Sequence, residues 1–161
     1  MESVPQPASG ILEGQCHLFP IRVYYEDTDL SGIVYHANYL KYCERARSDL
    51  LRVLGIDQRT AHEAGEGTYA VADAKIRWAA PARLDDSLVV QTSLAELRSA
   101  SVRLVQRVVR GEELLVELAI RVGFIAPNGR PRRQPEAWRA AFEEFYQSEA
   151  STPEPKPKEP A

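Results

Sequence analysis

The sequence contains little cysteine and no long hydrophobic run, and each shortage excludes a class of protein. Only Cys16 and Cys43 occur among the 161 residues, outside any CxxC pair, so no disulfide framework is expected. No apolar run approaches the roughly 20 residues that a membrane span needs. The first residues, MESVPQPASGILEG, lack the basic and apolar regions of a signal peptide. We therefore expect a cytoplasmic protein with reduced thiols.

The sequence also lacks an excess of positive charge. Its 20 basic and 23 acidic side chains give a formal net charge of -3, which argues against nucleic acid as a partner. Hydrophobic residues make up 44% and charged residues 27%, close to ordinary globular usage. The length predicts one domain. We expect a flexible arm over 1–16, a folded domain over 17–148 and a disordered, Pro-rich tail over 149–161.

A long amphipathic helix is predicted from about residue 37 to 54. Its apolar positions recur every three or four residues and so share one face: Tyr39, Cys43, Ala46, Leu50 and Val53. Asn38 is the expected N-cap, and Gly55 occupies the position where a left-handed residue ends many helices. Arg47 lies near the edge of the apolar stripe. A surface ion pair with Glu44 is its ordinary interpretation.

Alternating apolar and polar residues predict strands on both sides of this helix. One strand precedes it, ending near Glu26, and four follow it, near 70–78, 88–95, 101–109 and 114–124. We expect these four to form an antiparallel meander with one face against the helix, and a closing helix over 135–148. The fold class is α+β. Unpaired edges of such a sheet favour pairing with a second copy.

The segment 23–54 concentrates the candidate functional residues. Three acids, Glu26, Asp27 and Asp29, precede a Ser31-Gly32 turn and His36. Their spacing does not match a calcium loop, so turn formation is the favoured role of Glu26 and Asp27 over a metal site. No GxSxG motif is present, which argues against a serine hydrolase. His17 and His62 are expected to be solvated.

Asp29 lies just before the turn and the helix start. Unpaired backbone N–H groups near His36 and Ala37 at this helix start can stabilise a developing oxyanion. A carboxylate at the same point can attack a carbonyl or activate water, which suits acyl transfer to water. Two alternatives stay open: Asp29 is a capping acid, and His36 is a neutral, hydrogen-bonded histidine rather than a participant in proton transfer.

The run YYEDTDLSGIVYHANY at 24–39, followed by YCERAR at 42–47, resembles the signature of the hotdog-fold acyl-CoA thioesterases. The most similar group is the Tol–Pal-associated branch of the 4-hydroxybenzoyl-CoA thioesterase family, and the resemblance covers about 20 to 145. It implies an antiparallel sheet of five or six strands wrapped around one long helix. It also implies homodimers or homotetramers with active sites at the dimer interface, and neither metal nor covalent cofactor.

The resemblance assigns roles to particular residues. Asp29 takes the place of the catalytic nucleophile or general base, and the backbone N–H of His36 polarises the thioester carbonyl. Substrate-binding positions are Tyr35 in the motif and three residues of the turn after the second strand of the meander: Arg98, Ser99 and Ser101. For Arg98 the ordinary alternative is an exposed hairpin residue. Two other functions stay open, a non-catalytic acyl-CoA-binding or envelope and division module, and a hotdog dehydratase.

Overall fold

A computed structural model describes residues 3–148. The predicted tail over 149–161 lies outside the described residues. The helices and strands follow in chain order: β1 Ile11–Glu13, β2 Cys16–Arg22, a 3-10 turn Tyr25–Asp27, α1 Asn38–Val53, α2 Gln58–Glu63, β3 Thr68–Trp78, β4 Ser87–Leu97, β5 Ser101–Arg110, β6 Glu113–Ile125 and α3 Glu136–Gln147. The α+β expectation is confirmed.

Helix α1 forms where the apolar spacing predicts it and ends as expected. Gly55 has φ +80°, and the N–H of Ile56 closes on the carbonyl of Leu51 at 2.9 Å, the pattern of a left-handed helix end. The predicted N-cap, Asn38, is wrong by one residue. Ala37 is the N-cap and has no side-chain cap, because the Asn38 amide instead donates to the Asp27 carbonyl at 2.9 Å.

The six strands form one antiparallel sheet in the order β1-β2-β4-β5-β6-β3. The expected four-strand meander is therefore wrong for β3. Of the four strands after α1, only β4, β5 and β6 follow one another as neighbours, whereas β3 pairs with β6 at the far edge and β2 pairs with β4. Eight residues separate Trp78 from Ser87, which lets the chain cross the sheet, whereas a hairpin turn needs two to five.

The predicted flexible arm is wrong for residues 9–16. Strand β1 pairs with β2, and the Gly10 N–H donates to the Asp49 carboxylate of α1 at 2.8 Å. His17, expected to be solvated, is fully buried and pairs with Asp49 at 2.8 Å. The error arose because His17 faces the helix from β2, a contact that local sequence does not reveal. His62 is exposed, as expected.

The hydrophobic core lies between α1 and the concave face of the sheet. Its buried members come from α1, from β2, β4, β5 and β6 and from α3, and the largest fully buried ones include Tyr39, Tyr42, Phe142 and Leu50. Strand β3 differs from the other long strands because most of its side chains are exposed. Val71 is 54% and Trp78 46% exposed. Within residues 3–148, no helix combines the length and apolar character required to cross a membrane.

Candidate active site

A compact loop joins the 3-10 turn to α1 and contains the acids singled out in the sequence. Asp27 fixes its start, because its carboxylate accepts the Tyr24 N–H at 2.8 Å and its carbonyl accepts the Tyr35 N–H at 2.9 Å. Thr28 and Val34 then pair as an antiparallel bridge. The turn-forming role predicted for Asp27 is confirmed. Hydrogen bonds therefore join the two ends of the loop before the helix begins.

Asp29 occupies the tip of this loop. Its N–H donates to the Ile33 carbonyl, and its carbonyl accepts the Gly32 N–H, both at 3.0 Å. Gly32 has φ +76°, a conformation that glycine adopts without strain. One carboxylate oxygen, Oδ1, accepts the Ser31 N–H at 2.8 Å. The other oxygen has no hydrogen-bond donor among the described residues, and the side chain is exposed. Asp29 is thus oriented by its own turn while one oxygen stays available.

His36 lies at the other end of the loop, directly before α1. Its carbonyl accepts the indole N–H of Trp78 at 3.0 Å, and its ring packs near those of Tyr35 and Trp78, with centroids 4.5 and 5.7 Å away. The N–H groups of His36 and Ala37 donate to no acceptor in the part of the chain that the structure describes. The first turn of α1 contains no acidic residue. Its positive dipole end is therefore available to a negatively charged oxygen.

The chain after β3 holds this loop against the sheet. The Val34 N–H donates to the Ala82 carbonyl at 2.9 Å, and Ala82 in turn donates to the buried hydroxyl of Tyr39 at 3.0 Å. Burial raises the pKa of Tyr42, and the neighbouring Asp27 carboxylate raises that pKa further. Both phenols are therefore neutral supports beneath the loop, and neither supplies a base.

The second group of predicted site residues lies at the opposite end of the sheet. Arg98 and Ser99 lie in the β4–β5 turn and Ser101 begins β5, level with the start of β3, whereas the Trp78 end of β3 contacts His36. Seven residues of β6, from Val116 to Gly123, separate the two levels, about 23 Å at 3.3 Å per residue. Arg98 is exposed and donates to Glu96 at 2.9 Å, and Tyr35 is exposed beside His36. One protomer therefore does not bring the two groups together.

A cavity of about 240 Å³ opens between α1, α3 and the start of β3. Arg47 lines it, half-buried, and donates to the side-chain oxygen of Gln106 at 2.8 Å. The predicted surface pair is wrong, because no ion pair joins Arg47 to Glu44 among the described residues. Sequence analysis placed Arg47 on the stripe edge but had no signal for Gln106, which reaches it from β5.

In residues 3–148, no cluster of three or more His, Cys, Asp and Glu side chains has an arrangement that could hold a metal ion. The loop presents the Asp29 carboxylate, the His36 imidazole and main-chain N–H donors. These groups suit attack on a carbonyl carbon and stabilisation of the resulting oxyanion.

The comparisons with known proteins agree with this chemistry. The sequence profile of the Thioesterase-like superfamily matches residues 23–145. The chain is 38% identical over 125 residues to the acyl-CoA thioesterase YbgC of Haemophilus influenzae, covering 77% of this chain and 92% of that protein. It is 40% identical over 128 residues to the acyl-CoA thioester hydrolase YbgC of Escherichia coli, covering 78% and 95%. A probable thioesterase from Bartonella henselae superimposes with a TM-score of 0.72 at 36% identity, covering 74% and 99%.

Proposed function

The chain belongs to the Thioesterase-like superfamily and has the hotdog fold, and from this premise we propose that it hydrolyses acyl-CoA thioesters with Asp29 as the catalytic carboxylate. The reaction converts an acyl-S-CoA and water into a carboxylic acid and free coenzyme A. The observation that supports the assignment is the loop itself. Within residues 3–148, it presents one carboxylate oxygen and two main-chain donors that have no partner, and hydrogen bonds fix it on both sides.

The Asp29 carboxylate acts in one of two ways. As a nucleophile, it attacks the thioester carbonyl and expels the coenzyme A thiolate, and water then hydrolyses the mixed anhydride. As a general base, it removes a proton from the attacking water. In both routes the carbonyl oxygen becomes negative. The N–H groups of His36 and Ala37, aligned with the dipole of α1, stabilise that charge.

A second copy of the chain completes the site in this proposal. The outer edge of β3 is exposed, and pairing it antiparallel with the β3 of another protomer satisfies its backbone groups. A two-fold axis through the middle of β3 brings the Arg98 turn of one copy to the level of Trp78 and His36 in the other. Arg98, Ser99 and Ser101 then bind coenzyme A beside the catalytic loop of the partner, with Tyr35 against the thioester.

The decisive comparison is between Asp29→Asn and Glu26→Gln, assayed by the release of free thiol from acyl-CoA. We expect Asp29→Asn to fold and to lose at least about a hundredfold in kcat, because the amide neither attacks nor accepts a proton. Glu26 is exposed on the same segment, and its neutralisation is expected to leave the rate within about twofold of the original.

Normal hydrolysis by Asp29→Asn contradicts the assigned role. Binding of acyl-CoA without thiol release by the unchanged protein favours the non-catalytic module instead. Assembly as a homodimer or dimer of dimers, a cytoplasmic location and a Tol–Pal association stay predictions from the sequence. Analytical ultracentrifugation checks the first of these.

A further inference from the structure

The cavity beside β3 combines an apolar lining with polar groups on α1 and at the start of α2. Its polar contributors are Glu44, Arg47, Ser48 and Gln58, and its apolar ones include Tyr69, Val71 and Phe142. At about 240 Å³, it has room for a short acyl group but lies near the lower limit of ordinary ligand pockets. Methylene groups fit the apolar lining, whereas the polar residues require an oxygen or nitrogen partner.

One hydrogen bond orients Arg47 in this cavity. Its guanidinium donates to Gln106, whose side chain is fully buried. The amide nitrogen of Gln106 donates in turn to the Cys43 carbonyl at 2.9 Å and to the Thr92 hydroxyl at 3.0 Å. Every polar atom of Gln106 thus has a partner, so the amide cannot rotate away. The guanidinium is oriented before any ligand arrives.

Most of the hydrogen-bonding capacity of Arg47 is unused. A guanidinium has five N–H donors, and within residues 3–148 only one hydrogen bond to an acceptor is formed. No carboxylate of these residues lies within ion-pair distance. Burial lowers the pKa of Arg47, and Glu44 and Cys43 partly oppose this, but a guanidinium stays charged at neutral pH. Glu44 lines the same cavity but makes no ion pair with Arg47 among the described residues, so the free donors of the guanidinium are available to a ligand anion.

The cavity lies at the end of β3 that the proposed two-fold axis places beside the catalytic loop of the partner. Resting on the proposed function, we propose that this cavity binds the acyl group and that Arg47 selects acyl groups ending in a carboxylate. The substrates of this class are mono-CoA thioesters of dicarboxylic acids. The planar fork of Arg47 pairs with the distal carboxylate, and the apolar lining covers the methylenes between it and the thioester.

Matched pairs of substrates test this assignment. Adipyl-CoA and hexanoyl-CoA have equal chain length and differ by the terminal carboxylate, as do glutaryl-CoA and pentanoyl-CoA. We expect the unchanged protein to prefer the dicarboxylic member in kcat/KM. We expect Arg47→Met to lower that preference by about tenfold to a hundredfold, the usual range for a charge-assisted pair. Arg47→Lys keeps the positive charge but not the planar fork of donors. Its preference for the dicarboxylic substrate is expected to lie between those of the unchanged protein and Arg47→Met.

Arg45→Met is the matched control, because Arg45 is exposed on the same helix and lines no part of the cavity. It is expected to keep the preference unchanged. Far-UV circular dichroism checks that each variant is folded. If Arg47→Met does not fold, Arg47→Lys alone tests the proposal, through its ratio of kcat/KM for the dicarboxylic substrate to kcat/KM for the monocarboxylic one. An equal loss for both members of each pair, or a preference that survives in Arg47→Met, overturns the proposal and leaves Arg47 with a structural role.

Equilibrium binding gives the corresponding ratio of affinities for the dicarboxylic and monocarboxylic substrates. It is measured in the Asp29→Asn background, with and without Arg47→Met. A loss of hydrolysis in Asp29→Asn concerns the catalytic role alone, whereas the binding ratio concerns Arg47 alone. If the unchanged protein hydrolyses no thioester, the binding ratio still decides. Equal affinity for adipyl-CoA and hexanoyl-CoA overturns the inference in that case too.

Discussion

Asp49→Ala tests whether the buried pair on α1 anchors the N-terminal segment. The Asp49 side chain is almost fully buried and accepts three hydrogen bonds. The donors are the His17 imidazole and the Gly10 N–H, both at 2.8 Å, and the Ser9 hydroxyl at 3.3 Å. Gly10 is required here, because a Cβ at that position would lie 2.5 Å from the His17 ring nitrogen. Alanine at 49 removes all three acceptor contacts.

The expected loss in the free energy of unfolding follows from the donors that Asp49→Ala leaves without a partner. The His17 N–H is in a fully buried side chain, and a buried unsatisfied donor costs about 1–3 kcal/mol. The Gly10 N–H adds a similar amount unless the segment before β1 moves into solvent. We therefore expect the free energy of unfolding to fall by about 3–5 kcal/mol.

Urea denaturation at fixed protein concentration measures this change, and Asp57→Ala is the matched control. Asp57 is an exposed N-cap of α2 that accepts the Thr60 N–H at 3.0 Å. Loss of such a cap costs about 1 kcal/mol. If the two variants lose the same amount, the three contacts of Asp49 do not anchor the segment, and the reasoning fails.

Two further results are expected. Trp78→Phe removes the indole donor to the His36 carbonyl and should lower kcat/KM about fivefold, the effect of one hydrogen bond of about 1 kcal/mol. An unchanged kcat/KM shows that this contact does not position the loop. Burial raises the pKa of the Cys43 thiol to about 12, so at pH 8 only about one molecule in ten thousand has the thiolate. Native Cys43 should resist a thiol reagent that labels it in denaturant; rapid native labelling contradicts its burial.

Local sequence patterns predicted the elements well and their neighbours less well. The three- and four-residue spacing from Tyr39 to Leu50 determined α1, and Gly55 determined its end, because both signals depend only on adjacent turns of chain. The position of β3 at the sheet edge was not predictable from alternation. A period of two residues identifies a strand and its two faces but contains no information on which strand lies beside it.

In the candidate site, too, the locally encoded features were predicted and the long-range contacts were not. The motif placed Asp29 and His36 on one loop before α1, and the structure brings them there because turn residues and a helix start are encoded locally. The contacts of His17 with Asp49, and of Arg47 with Gln106, join residues 32 and 59 positions apart. Packing of the helix on the sheet creates both contacts. Sequence spacing therefore suggested a solvated His17 and a surface Arg47, and both expectations were wrong.

The most direct test of the account is a crystal structure of the Asp29→Asn variant with an uncleaved acyl-CoA. We expect the thioester carbonyl carbon about 3–3.5 Å from the residue 29 side chain, and the carbonyl oxygen about 3 Å from the N–H of His36 or Ala37. Coenzyme A should contact Arg98 of the partner subunit. A thioester bound away from the loop that contains residue 29 would contradict the account.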